Sequence, residues 1–225
     1  MIIITIVIVV CAVMFYGSYS VAHSFYLKSL CRGGDSSMGV AITFDDGVDP
    51  VMTPKVLRVL HRYGAKATFF IIGDKARQYP ELVKQIVDGG HTVGNHSYYH
   101  QPYFPMKSSS AMCREIEMCS ETLKSITGQD VVFFRPPFGV TNPMVRRAAD
   151  QSGLTSIGWS IRSLDTMGGA QDQIYSRVTR KLKTGSVVLL HDNLDGAEAL
   201  LDAILSHMQS KGLRSITINE LFDAK

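Results

Sequence analysis

From Val40 onward, short apolar runs alternate with segments whose apolar residues recur at helical spacing. The runs at 40–44, 66–72, 91–94, 131–134, 154–159, 186–190 and 213–218 have the length and composition of strands. Between them, Thr53-Pro54 opens a helix with Val56, Leu57, Leu60 and Tyr63 on one face. Ser109 or Ser110 caps a second, which carries Met112, Ile116, Cys119, Leu123 and Ile126. Asn142-Pro143 starts a third, and Ala197 begins a fourth with Leu200, Leu201, Ile204 and Met208. Apolar strands alternating with helices imply a parallel sheet covered by helices. The expected fold class is therefore α/β, a distorted (β/α) barrel of about seven parallel strands, whose chemistry gathers at the carboxyl ends of the strands.

The amino terminus departs from this alternation. Residues 1–16 carry no charge and are rich in Ile and Val, and the first charged side chain is Lys28. As a helix rising about 1.5 Å per residue, the stretch 1–22 just crosses a hydrocarbon core of about 30 Å. It reads as a membrane anchor, or as a signal peptide with a weak cleavage site at Ser20-Val21-Ala22, although the usual positive leader is missing. Either reading puts the protein at the cell envelope, membrane-anchored or secreted. Lys28 and Arg32 follow the segment, which by the positive-inside rule favours a cytoplasmic domain; the orientation stays open. Residues 23–38 form a polar connector, and 39–225 a single domain.

Composition narrows the function classes. The chain has 225 residues, 45% hydrophobic and 19% charged, enough for one domain with a full core. A net charge of +3 without a basic cluster argues against nucleic acid as a partner. The cysteines at 11, 31, 113 and 119 form no CxxC pair and read as free thiols.

The candidate chemistry lies at strand ends. Asp45 and Asp46 close the first run, and adjacent positions point in different directions, so one carboxylate can bind a metal while the other faces an activated water. Alone, Asp-Asp-Gly also describes a polar turn. His96 and His100 share a face if their segment makes a helical turn, a spacing suited to one ion. A carboxylate plus two histidines leaves an open coordination position, as a catalytic zinc requires, and cobalt, nickel or iron accept the same donors. Arg135 ends the fourth run before two prolines and, if buried, needs a carboxylate partner. Asp165 follows the fifth run. His191 ends the sixth and can donate a proton near neutral pH, although a core histidine satisfied by neighbours has the same local signature.

Taken together, TFDDG at 43–47, NHSYYH at 95–100, RPPFG at 135–139 and LLH at 189–191 resemble, in order, the motifs of the polysaccharide deacetylase family. This is the NodB-homology domain of carbohydrate esterase family 4. Lys66-Ala67-Thr68-Phe69-Phe70, Gly90-His91 and Gly158-Trp159-Ser160 add to the resemblance, which covers roughly 39–220. It implies that Asp45 is the general base and that Asp46, His96 and His100 hold one divalent metal. It further implies that Arg135 orients Asp45, that Leu189 lines the acetyl pocket, and that His191 is the general acid. Asp165 would support the arginine and histidine network, the Phe138 N–H would help hold the oxyanion, and His91 would be structural.

One motif departs. Where the family commonly has Asp-x-x-Asp-Trp, this chain reads Arg162-Ser163-Leu164-Asp165-Thr166. Losing the indole removes a pocket wall, so a bulkier or differently placed substrate is expected. The implied activity is removal of N-acetyl groups from a glycan containing N-acetylglucosamine. The alternatives are an O-acetyl esterase acting on a glycan such as xylan, or a catalytically silent glycan-binding homologue. The expected partners are an acetylated glycan and, through the amino-terminal segment, a membrane; the oligomeric state stays open.

Overall fold

The structure, a computed structural model, describes residues 2–19, 21–34 and 39–222. Ser20 of the cleavage-site reading and positions 35–38 of the connector lie outside the described residues. In chain order the elements are α1 (Ile2–Tyr19), β1 (Val40–Gly47), α2 (Met52–Arg62), β2 (Thr68–Ile71), α3 (Gly73–Gln78), α4 (Pro80–Asp88), β3 (Thr92–Asn95), α5 (Ser109–Thr127) and β4 (Phe133–Phe134). They continue as α6 (Pro143–Ser152), β5 (Thr155–Ser156), β6 (Ile161–Arg162), α7 (Gln171–Thr179), β7 (Val187–His191), α8 (Ala197–Ser210), β8 (Ser215–Ile216) and α9 (Ile218–Phe222).

Strand β1 is buried almost throughout because it lies inside the sheet, parallel to β2 on one side and to β7 on the other. The sheet runs β5-β4-β3-β2-β1-β7-β6, with β8 pairing the start of β1, and it curls into a half-barrel. All its strand pairs are parallel. Both faces are therefore covered. Ile42, Phe44, Phe69 and Leu190 pack beneath α2 and α8, while Ala41, Phe70, Phe133 and Val187 fill the interior with Trp159.

Of the run expected as a strand over 154–159, only Thr155 and Ser156 are strand, and a further strand, β6, follows beyond it. Thr155 and Ser156 pair with β4, whereas Ile161 and Arg162 pair with β7 at the opposite end of the sheet. Residues 157–160 cross the opening between these edges, and part of the connector pairs there. Leu30 N–H donates to Ser156 O (2.9 Å), Gly158 N–H donates to Leu30 O (3.0 Å), and Gly33 N–H donates to Gly185 O (2.8 Å). Edge strands leave unpaired peptide groups, and the connector supplies partners for some of them.

Local chemistry explains the helix starts. Asn142 caps α6, its Oδ1 accepting from the N–H groups of Met144 and Val145 at 2.9 Å each. At α5 the cap is Ser108 rather than Ser109 or Ser110, its Oγ accepting from Ala111 N–H at 3.3 Å. Helix α1 is apolar on all sides, and Gly17 is its one buried residue. Its end is nonetheless attached to the domain. Thr141 donates from Oγ1 to Gly17 O and from N–H to Ser18 O, both at 3.1 Å, and Val21 is fully buried in the cluster that holds Trp159.

Candidate active site

Asp45 is in register with His191, while Asp46, with φ +66°, lies in an irregular step of β1 between Phe44 and Gly47. That left-handed residue, uncommon without glycine, separates the two carboxylates. Lys75 Nζ holds the turn by donating to Asp46 O at 2.7 Å.

His96 and His100 are brought together by a loop, not by the helical turn that their spacing suggested. Ser97 (φ +63°) and His100 (φ +50°) reverse the backbone. Asn95 anchors the bend, accepting from Ser97 N–H at 2.8 Å and donating to Ile116 O at 2.7 Å. The two imidazole centroids end up 4.6 Å apart. His96 Nδ1 lies 2.8 Å from Arg135 O, where a ring N–H fits, so its Nε2 faces the cleft.

Asp46 Oδ1 lies 3.4 Å from His96 Nε2 and 3.3 Å from His100 Nε2, and the three ligand atoms fall within 4.8 Å of one another. Asp46 Oδ1 and His100 Nε2 are buried polar atoms without a hydrogen-bond partner. Orphaned buried donors and acceptors are rare and call for an explanation. A carboxylate and two imidazoles converging on one point fit a divalent ion with room for further ligands. Burial, then His96, pulls the His100 imidazole down to about 4, so it is neutral and able to coordinate at physiological pH. Burial works to raise the Asp46 pKa, but the three neighbouring imidazoles outweigh it and hold the carboxyl well below its usual range.

Arg135 is fully buried and ties Asp45 in place. Its Nη1 donates to Asp45 Oδ1 (2.7 Å) and Thr43 Oγ1 (2.8 Å), its Nε to Ile157 O (3.2 Å), and its Nη2 to Gly158 O (2.8 Å). The guanidinium also lies 4.1 Å from the Phe70 ring centre. Asp45 Oδ2 remains, 3.8 Å from His96 Nε2.

Asp165 supports His191 and not Arg135. Its Oδ1 lies 2.8 Å from His191 Nδ1, and its Oδ2 accepts the His191 backbone N–H at 2.9 Å. Burial disfavours a charged imidazole at His191, but the bond and charge of Asp165, with Asp45 and Asp46 behind them, raise its pKa. His191 Nε2 points back toward Asp46 Oδ2 at 3.9 Å. The next residue, Asp192, faces the other way. Its Oδ2 accepts from Thr53 Oγ1 at 2.5 Å, and burial raises its pKa to about 6. His91 also stands apart, accepting Ala67 N–H on Nδ1 at 3.2 Å.

Asp45, Asp46, His96, His100, Phe138, Leu189 and His191 line one cavity of about 260 Å³. Phe138 sits at φ +60°, its ring 4.5 Å from that of His100. Gly139 N–H and Val140 N–H are used by the carbonyls of Pro136 and Pro137, whereas the Phe138 N–H has no backbone partner among the described residues. Arg135 and Asp165 stand behind this lining.

Sequence reasoning did not place Trp159, Gly139 and Arg162 in the pocket wall, where they stand with Thr166. The signal for Trp159 was the Gly158-Trp159-Ser160 motif, and a Cβ at Gly139 would lie 2.1 Å from its Cη2. Arg162 was visible only as a departure from a motif; its guanidinium lies 5.6 Å from the Trp159 ring centre. Thr166, with Asp165 and His191, also borders a second groove of about 630 Å³ lined by Gly168, Gln171, Leu194 and Gly196.

The sequence model of the polysaccharide deacetylase family matches residues 33–157. A peptidoglycan-N-acetylglucosamine deacetylase of Bacillus cereus is 34% identical over 187 residues, covering 81% of this chain and 68% of that protein. A peptidoglycan-N-acetylmuramic acid deacetylase of Bacillus subtilis is 32% identical over 207 residues, covering 90% of this chain and 76% of the relative. Among solved structures, the Bc1960 peptidoglycan N-acetylglucosamine deacetylase superposes with a TM-score of 0.79 at 33% identity, covering 87% of this chain and 92% of that one. With the half-barrel agreeing with these matches, the chain belongs to the polysaccharide deacetylase family.

Proposed function

We propose that this protein removes N-acetyl groups from a glycan containing N-acetylglucosamine, using a divalent metal, zinc by donor chemistry, held by Asp46, His96 and His100. The observation that carries the reading is the arrangement around the ligand trio. Asp45 Oδ2 and His191 Nε2 flank it, 3.8 Å from His96 Nε2 and 3.9 Å from Asp46 Oδ2 respectively.

When bound, the metal supplies Lewis acidity that lowers the pKa of a water and polarises the acetyl carbonyl. Asp45, its other oxygen held by Arg135, accepts the water proton. The Phe138 N–H donates to the oxyanion as the tetrahedral carbon forms. Leu189 walls the space for the acetyl methyl, with Trp159 beside it. His191 gives its Nε2 proton to the departing nitrogen while Asp165 keeps the other ring nitrogen occupied. The products are acetate and a glucosamine unit.

Asp165 occupies His191 Nδ1 and leaves Nε2 for the leaving group, and an amine needs that proton more than an alcohol does. The 630 Å³ groove beside Thr166 is where neighbouring sugar units fit. The named relatives act on peptidoglycan, which makes that polymer the first substrate to test. Helix α1 is read as the anchor that keeps the domain at the cell envelope.

Acetate release is the test, comparing N-acetylated chito-oligosaccharides and peptidoglycan with O-acetylated xylo-oligosaccharides. Release from the amides that disappears with a chelator and returns with zinc supports the reading. Preference for the ester overturns the amide assignment, and no release from any of the three supports a catalytically silent protein.

A further inference from the structure

The attachment of α1 to the domain is informative about more than tethering. The helix end is bonded to Thr141, in the loop that carries Phe138 at the cleft. Around that junction several large apolar side chains are exposed, beside the exposed His23, Ser24, Arg146 and Arg147. Phe25 packs on Gly17 of α1 and is 51% exposed. Met144 lies in the first turn of α6, three residues after Thr141, and is exposed. The neighbouring loop brings Tyr103 and Met106, the latter 86% exposed. The two loops are joined, since Asn142 Nδ2 donates to Pro105 O at 2.7 Å and Phe138 stacks near His100.

Charge is sparse in the same places: Lys107, whose Nζ lies 5.0 Å from the Tyr103 ring centre, is paired with Glu115. Residues 1–27, 99–106 and 136–145 contain no Asp, Glu, Lys or Arg, in a chain that is otherwise 19% charged. These three segments are distant in sequence and meet at one side of the cleft. Exposed apolar groups clustered this way mark an interaction surface. Tyrosine and other amphipathic side chains suit the boundary between lipid and water, where a charge would have to be desolvated.

We propose that this face, formed by Phe25, Tyr103, Met106, Phe138 and Met144, seats on the surface of the lipid bilayer that α1 crosses, so that the cleft opens beside the headgroups. The inference rests on reading α1 as the anchor, and it commits to lipid because the face is continuous with that helix. It makes the enzyme one that works on glycan close to the membrane rather than at the end of a free tether. The connection is short: Ser18 and Thr141 are hydrogen-bonded, and Val21 is buried in the domain.

Full-length protein in phosphatidylcholine vesicles with brominated acyl chains provides the test. Trp159 is the only tryptophan, so its signal is measured in the unmodified chain and subtracted. Tyr103→Trp and Met106→Trp report the face; Lys211→Trp, in the exposed turn before β8, reports a site away from it. Quenching of the first two by about twofold or more, with Lys211→Trp unaffected, is expected. Adding Met106→Asp to Tyr103→Trp should then reduce the quenching, with acetate release from a soluble oligosaccharide unchanged. Vesicle flotation reads the anchor separately. Protein that does not float overturns both the anchor and the seating. Floating protein without quenching overturns the seating alone. A fluorescence change that follows protein rather than lipid concentration assigns the face to a second copy of the chain and also overturns it.

Discussion

Asp165 grips His191 at two points, with Oδ1 2.8 Å from the ring Nδ1 and Oδ2 2.9 Å from the backbone nitrogen. The carboxylate thus sets both the position of the imidazole and which nitrogen carries the shared proton, leaving Nε2 to face the cleft.

The grip has a pH consequence. The His191 pKa is raised, burial notwithstanding, mainly through Asp165, and a general acid must be protonated to act. Activity falls as pH rises through that pKa. Asp165→Asn removes the main raising cause, so the alkaline limb of the kcat profile should move to lower pH. A pH profile of acetate release for the two proteins measures this; an unmoved limb would detach Asp165 from the acid.

The adjacent aspartates should separate in a metal assay. Asp46→Ala is expected to lose bound metal on dialysis, because Asp46 Oδ1 is the carboxylate atom shared by both imidazoles. Asp45→Asn should keep the metal and lose turnover by about 10²–10⁴. Metal analysis by mass spectrometry together with acetate release distinguishes the two, and equal metal loss in both variants would contradict the division of roles.

Arg135 is the largest of the fully buried side chains, and its cation is matched by Asp45. Removing one partner of a buried pair leaves the other uncompensated, at a cost of about 3–5 kcal/mol. Arg135→Met should lower stability to urea by that order as well as activity. A variant of native stability would show that Asp45 finds its compensation elsewhere.

Gly139 lies under the Trp159 ring, with φ +66° and no space for a side chain. Gly139→Ala should displace the indole and destabilise the fold by about 1–3 kcal/mol. The single tryptophan makes this visible as a shift in intrinsic fluorescence, accompanied by a higher KM. An unchanged emission spectrum would mean that the loop, and not the ring, yields.

Several elements were legible along the chain because their causes are local. The apolar runs became strands wherever they were buried on both faces, as β1 and β7 are. Asn142-Pro143 announced α6 through a side chain that reaches only two and three residues ahead. Helices α3, α4 and α7 were passed over, being short and held largely by packing from outside. The shortening of the 154–159 run to β5, and the placement of β6 at the other edge, had no local signal either, since both depend on where the half-barrel ends.

By itself, the sequence determined the donors and their order: two adjacent carboxylates, two histidines, an arginine and a late histidine, each at the end of an apolar run. Tertiary structure decided how they are used. The left-handed turn at Asp46 directs one carboxylate to the imidazoles and leaves its neighbour to Arg135. A loop reversal, not a helix, joins His96 to His100, and Asp165 serves His191 rather than Arg135. The physical reason is range. Residue type and spacing encode what a side chain can do within a turn or two of chain. The partner that it meets across the barrel is set by how the strands pair and where the sheet stops curling.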